Sequence, residues 1–290
     1  MVARMHALFS GTLAALTLGA TAAAQQDHRI VSVGGDVTEI VYALGYGDQI
    51  VATDSTSVYP PEAGDTAKVG YVRSLAAESL LSLDPSILLL GGAAGPEAVV
   101  EQLRDVGLDM VTVDDRYTID AVRTKVRQVA DALGAPERAD ALIAEIDADW
   151  DRACAEIDTI EGRPVGLFFA ALGDSGPQAA GTETAGHAVL DILGVENAFA
   201  GQQGYRALSM EAAVAADPDV IFVMSHNVRA LGGLDAVANH PALALTSAGR
   251  EGRIVAVDSV RVMSFGPRAA EGLAEAAREL KATLQAPVVQ

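Results

Sequence analysis

The sequence predicts an α/β protein of two similar lobes, each built on a parallel sheet, with a cleft between them and one long helix joining them. Short apolar runs alternate with helical patterns through most of the chain, which is the βαβ order of a parallel sheet with right-handed crossovers. A 16-residue passage occurs twice: Arg73, Leu75, Glu78 and Asp84-Pro85 match Arg206, Leu208, Glu211 and Asp217-Pro218, 133 residues later. That distance is the size of a domain, far longer than a solenoid repeat. Between Ile119 and Ile160 no strand pattern interrupts the helical periodicity.

The elements follow in order. Ile30 to Val33 reads as a strand ended by Gly34-Gly35, with Asp36 placed to cap a helix from Val37 to Leu44. Ile50 to Thr53 is a strand, followed by a polar loop containing Tyr59-Pro60-Pro61. The first copy of the repeat supplies a short helix and the buried strand Ile87 to Leu90, ended by Gly91-Gly92. A helix from Pro96 to Val106 and a strand from Met110 to Val113 complete the first lobe. Pro136 suits the first turn of a new helix reaching about Ile157, whose apolar stripe is Leu142, Ile143, Ile146 and Trp150. Val165 to Phe169 opens the second lobe. The helix Ala185 to Leu193, the second copy of the repeat, the strands Val220 to Met224 and Ile254 to Val257, and a helix from about Pro267 to Leu284 complete it. The expected boundaries are a leader at 1–24, a first lobe at 25–134, a connecting helix at 135–160 and a second lobe at 161–290.

The leader has the form of a secretory signal: Arg4 precedes an apolar stretch from Ala7 to Ala20, and small residues offer a cleavage site near Ala24. The expected product is a monomer exported to the periplasm, with no segment that inserts into a membrane. Loss of Arg4 with the leader moves the formal charge from -19 to -20 over 266 residues, a field that repels nucleic acid and anionic lipid. Cys154 is the single cysteine, so no intramolecular disulfide forms, and its helical setting suits packing better than nucleophilic chemistry. No lipid-attachment cysteine follows the apolar stretch.

Enzyme signatures are missing: there is no Gly-x-Ser-x-Gly, no phosphate-loop Gly-Lys-Ser/Thr and no His-Glu-x-x-His. The glycine pairs Gly91-Gly92 and Gly232-Gly233, each read as following a strand, suit turns better than phosphate cradles. Of the five histidines, His226 follows the strand ending at Met224 and could point into a cleft, a solvent-facing loop histidine being the plainer reading. Tyr71-Val72-Arg73 has its own chemistry. A phenolate binds ferric iron, free tyrosine ionises about three units above neutral, and a nearby guanidinium favours the anion. Tyr71 and Arg73 share a face if that segment is extended; in the plainer alternative, Tyr71 is a rim aromatic and Arg73 pairs with Glu78. Glu78 and Glu211 are each, in the plainer reading, solvated helix glutamates; at matching places in two lobes they would form two acidic knobs suited to a two-fold partner carrying arginines.

The mature chain resembles the haem-binding periplasmic proteins of ABC-type haem importers, within the wider cluster that binds corrinoids and ferric siderophores. The resemblance rests on Gly70-Tyr71-Val72-Arg73-Ser74-Leu75-Ala76-Ala77-Glu78, supported by Ala180-Gly181-Thr182-Glu183-Thr184-Ala185-Gly186, Gly204-Tyr205-Arg206 and Phe265-Gly266-Pro267-Arg268, and it covers nearly all of residues 29–284. It implies two Rossmann-like lobes on a helical backbone, haem as the transported ligand, Tyr71 as axial iron ligand and Arg73 as its support. It also implies docking of Glu78 and Glu211 onto the dimer of an inner-membrane ABC permease with its ATPase. Some relatives bind a second stacked haem through a histidine in the loop after the second lobe's first strand; Ala170 to Asp174 contains none, so one haem is expected. His226 is then a candidate sixth ligand, Arg206 or Arg229 candidate propionate partners, and Met224, Met263 and Phe265 candidate porphyrin contacts. A ferric-siderophore or corrinoid carrier of the same fold is the alternative. An exported metal- or redox-dependent enzyme is the reading from another class, and missing cysteine ligands and acid–base clusters count against it.

Overall fold

The computed structural model describes residues 27–173 and 176–286. The leader, its cleavage site, Asp174 and the last four residues lie outside them. In the first part of the chain the elements are β1 (Ile30–Val33), α1 (Gly35–Ala43), β2 (Ile50–Thr53), α2 (Pro61–Gly64), β3 (Ala67–Lys68), α3 (Ala77–Leu81), β4 (Ile87–Leu90), α4 (Glu97–Asp105), β5 (Met110–Thr112) and α5 (Ile119–Ala132). The long helix α6 (Pro136–Ile157) follows. Then come β6 (Val165–Gly173), β7 (Gly176–Ala180), α7 (Ala185–Ile192), β8 (Glu196–Asn197), β9 (Tyr205–Ala207), α8 (Met210–Ala216) and β10 (Val220–Met224). The chain continues through α9 (Ser225–Leu231), α10 (Leu234–Ala238), α11 (Ser247–Arg250), β11 (Ile254–Val257), α12 (Ser259–Val262) and α13 (Ala269–Gln285).

The first sheet has the order β3-β2-β1-β4-β5, and every pairing in it is parallel. Its order reverses at β1, so the loops after β1 and β4 diverge and leave a crevice at the strands' carboxyl ends. The second sheet, β11-β10-β6-β7-β9 with β8 beside β6, departs from the all-parallel expectation. β6 extends to Gly173 and returns after two residues as β7, and so short a connection can only pair strands antiparallel. β9 then adds antiparallel to β7. Two smaller expectations also fail. Gly34 occupies the N-cap of α1, and Asp36 lies inside its first turn. Gly232 ends helix α9, where its left-handed backbone (φ 98°) suits a C-cap, and does not follow a strand.

α6 starts with proline at its first turn and buries Ala139, Ile143, Ile146 and Ala153, with Leu142 and Trp150 partly covered. It packs against α5 on one side and α13 on the other. One apolar core therefore runs from Ile30 and Val37 through Ile143 and Ile146 to Phe168, Phe222 and Leu273, while the outer face of each sheet has a core of its own. Because the lobes share that core, they cannot separate without exposing it to water. Cys154 is half-buried on α6, and burial followed by Asp158 and Asp151 pushes its thiol up, which leaves it protonated and unreactive.

The repeat persists in three dimensions. From Glu78 to Ile87 and from Glu211 to Val220 the pattern of buried and exposed positions is the same, residue for residue. Asp84 and Asp217 both adopt the left-handed conformation, at φ 49° and 33°.

Candidate functional site

A cavity of about 300 Å³ opens where the carboxyl ends of strands from both sheets face each other. The loops after β1 and β4 supply Gly34-Gly35 and Gly91-Gly92, and the second lobe supplies Ala170, Met224 and Met263. Three tyrosines stand on its wall: Tyr71, Tyr117 and Tyr205. Gly70 and Gly204 precede two of them with φ 101° and 74°, a backbone region that side chains with a Cβ resist. Each glycine turns the chain so that the next residue faces the cavity. Gly70→Ala is expected to lower unfolding stability by more than about 1 kcal/mol in a denaturant titration, because alanine is strained at that angle.

Tyr71 and Arg73 both line the cavity, in a turn and not in an extended segment: the Ser74 amide donates to the Tyr71 carbonyl at 2.8 Å. Tyr71 is 49 % exposed. Arg73 has no carboxylate within ion-pair distance among the described residues, so the expected alternative of a pair with Glu78 is not formed. The other cation on the wall, Lys125, is committed. Its Nζ donates to Asp36 Oδ2 at 2.6 Å and to the carbonyls of Ser264 and Phe265 at 3.1 and 3.2 Å. Arg73 is thus the cation left to act on a ligand.

Tyr117 was not singled out by sequence, although its place just past β5, at a strand's carboxyl end, is where such a residue belongs. Burial pushes its phenol up, with the Arg73 charge pulling the other way, and its ring packs on Phe265 at 5.5 Å. Burial also raises the Tyr205 phenol, whose oxygen accepts from the Gly186 amide at 3.4 Å. Both therefore stay neutral at neutral pH. The second threonine of the Ala180–Gly186 motif has a capping role: Thr184 Oγ1 accepts from the His187 amide and starts α7, which brings Ala185 to the wall.

Other expected residues stand elsewhere. Arg206 is exposed and follows Tyr205 on β9, so strand alternation turns it to the opposite face. His226 is exposed on the first turn of α9, its Nδ1 3.2 Å from Ser259 Oγ, and is not on the cavity wall. Arg229 is exposed on the same helix. Met224 and Met263 do line the cavity, whereas Phe265 is buried beneath it. Glu78 and Glu211 are exposed in the first turns of α3 and α8, just beyond Tyr71 and Tyr205, one on each lobe. The Glu211 carboxyl is held below the usual range by its own amide and the Ser209 hydroxyl, so it is an anion at neutral pH.

Comparison with known proteins agrees with this architecture. A solved structure described as the periplasmic heme-binding protein RhuT from Roseiflexus sp. RS-1, in apo form, superposes with a TM-score of 0.84 at 36 % identity, covering 90 % of this chain and all of that one. The uncharacterized ABC transporter substrate-binding lipoprotein YvrC of Bacillus subtilis (strain 168) is 29 % identical over 259 residues, 88 % of this chain and 81 % of the relative. The vitamin B12-binding protein of Vibrio parahaemolyticus serotype O3:K6 (strain RIMD 2210633) is 24 % identical over 207 residues, 71 % of this chain and 74 % of the relative. These are binding proteins of transport and not enzymes, and so is this chain. With the family model described as "Periplasmic binding protein" matching residues 30–260, the two-lobed chain with its cavity at facing strand ends belongs to the periplasmic binding protein family.

Proposed function

We propose that this protein is the substrate-binding component of an ABC importer, that it works outside the cytoplasm after cleavage near Ala24, and that it captures one ferric haem between its lobes. The observation that carries the haem assignment is the presence, on one cavity wall, of a half-exposed tyrosine and an arginine that no carboxylate engages among the described residues. A ferric centre favours a phenolate oxygen, and its charge supplies the drive for deprotonation. Arg73 places a fixed positive charge on the same wall, suited to supporting the bound ligand or meeting a propionate. The half-buried tyrosines Tyr117 and Tyr205 and the methionines Met224 and Met263 suit the apolar faces of a tetrapyrrole. The RhuT likeness supports the same ligand.

A corrinoid is the second reading, favoured by the vitamin B12-binding relative. Its central cobalt has no need of Tyr71. Titrating the mature protein separately with ferric haem and with a cobalamin decides between them. Saturation at one haem with a tyrosinate-type visible spectrum, and no cobalamin binding, supports the proposal; the reverse pattern overturns it.

Glu78 and Glu211 would engage the two halves of the permease dimer through its basic residues. Glu78→Ala with Glu211→Ala is expected to leave haem titration unchanged and to reduce transport about ten-fold or more in vesicles containing permease and ATPase. Unimpaired transport would remove the docking role.

A further inference from the structure

We infer that the surface presented to the permease is not purely ionic: each docking carboxylate stands beside an exposed apolar side chain, Leu81 next to Glu78 and Val214 next to Glu211. The inference rests on the docking role proposed above. Nine large apolar side chains are exposed among the described residues, and three of them, Leu81, Met210 and Val214, lie on α3 and α8, two helices of five and seven residues. Apolar residues scattered singly over a surface need no explanation. These are not scattered. Leu81 and Val214 hold the same position of the repeat, 133 residues apart, three residues after a glutamate and hence on the same helix face as it. Each is 38 % exposed, within a stretch whose burial pattern and left-handed aspartate are also duplicated. Met210, 41 % exposed, flanks Glu211 from the other side, where the first lobe has the buried Ala77.

The occupant this surface fits is a membrane permease with two equivalent halves, each offering a basic group beside a shallow apolar depression. Charge alone would give long-range attraction that salt removes, and this acidic protein already has attraction in excess. Two apolar contacts give a short-range component that salt does not screen and that requires the two lobes to sit at one spacing. Because α3 and α8 follow the cavity tyrosines Tyr71 and Tyr205, a partner covering both helices also covers the mouth of the cleft between them.

The test compares the mature wild type, Leu81→Gln/Val214→Gln and Glu78→Ala/Glu211→Ala, each loaded with ferric haem, for binding to the permease–ATPase complex that serves this protein, held in nanodiscs. Haem titration and thermal unfolding of all three should coincide, since none of these residues lines the cavity. The glutamine pair is expected to dock about ten-fold more weakly with an unchanged salt slope. The alanine pair should dock more weakly with a flattened slope. If the glutamine pair docks like the wild type while the alanine pair fails, the apolar component is overturned and the ionic docking stands. If the wild type itself does not bind, both fall.

Discussion

Tyr71→Phe is expected to abolish the tyrosinate–iron absorption of the haem complex and to weaken ferric haem binding about 100-fold or more, a loss of roughly 2.7 kcal/mol. The substitution removes one oxygen and keeps the ring that faces the cavity, so on the proposed haem assignment apolar contact with the porphyrin would survive and the bond to iron would not. Neither neighbouring tyrosine can substitute. Tyr117 packs on Phe265 and Tyr205 accepts from the Gly186 amide, and burial raises both phenols. Tyr117→Phe should therefore leave the iron spectrum in place, which separates a ligand from a wall residue. An unaltered spectrum and titration in Tyr71→Phe would move the iron to another group.

Lys125→Met is expected to destabilise the fold by about 3–5 kcal/mol, because it strands the Asp36 carboxylate, 8 % exposed, without its partner. Lys125 and Asp36 belong to helices of the first lobe, while the carbonyls of Ser264 and Phe265 come from the segment that leads into α13. A second rung lies alongside. Arg268 donates to both oxygens of Glu39 at 2.7 and 3.1 Å and stacks over the Tyr59 ring at 3.3 Å. Together they clasp the second lobe to α1, the Asp36–Lys125 rung at the cavity wall itself. In a chain of this size the loss corresponds to a fall in Tm of roughly 10 °C. Adding Asp36→Leu should recover part of it, since removing both charges also removes the cost of burying them. A change below about 1 kcal/mol in Lys125→Met would mean that water reaches the pair in solution.

The sheet strands were the most legible elements. Strands covered on both faces read as apolar runs: Ile87–Leu90 and Val220–Met224 are unbroken runs of four and five buried residues, and Ile30–Val33 is interrupted only by Ser32, whose hydroxyl is hydrogen-bonded to that of Thr38. The long helix was legible for a similar reason, since Pro136 and the stripe through Ile143 and Ile146 act within a few turns of each other. The hairpin of β6 and β7 was missed because its second strand, Gly-Pro-Gln-Ala-Ala, has little strand character and is held in place by β6 and β9.

The repeat shows where local text runs out. Arg73 and Arg206 occupy the same place in it, yet one faces the cavity and the other faces away. In the first copy the tyrosine lies two residues before the arginine, within a turn; in the second it lies one residue before, on a strand. A single residue of spacing reverses a side chain's direction in extended backbone. Tyr117, the Asp36–Lys125 pair and the Glu39–Arg268 pair were likewise invisible, the last joining residues 229 apart.

The amino-acid sequence by itself determined the element types, the two-lobed α/β plan, the duplicated helices bearing Glu78 and Glu211, and the Tyr71–Arg73 motif, because each depends on residues within a few turns of chain. Only the tertiary structure decided which side chains meet in the cavity, that Lys125 is spoken for while Arg73 has no carboxylate partner among the described residues, and that the lobes are clasped at the cavity wall. Those outcomes depend on which distant segments share a small volume at the strand ends, and on how water is excluded there, which no local pattern encodes.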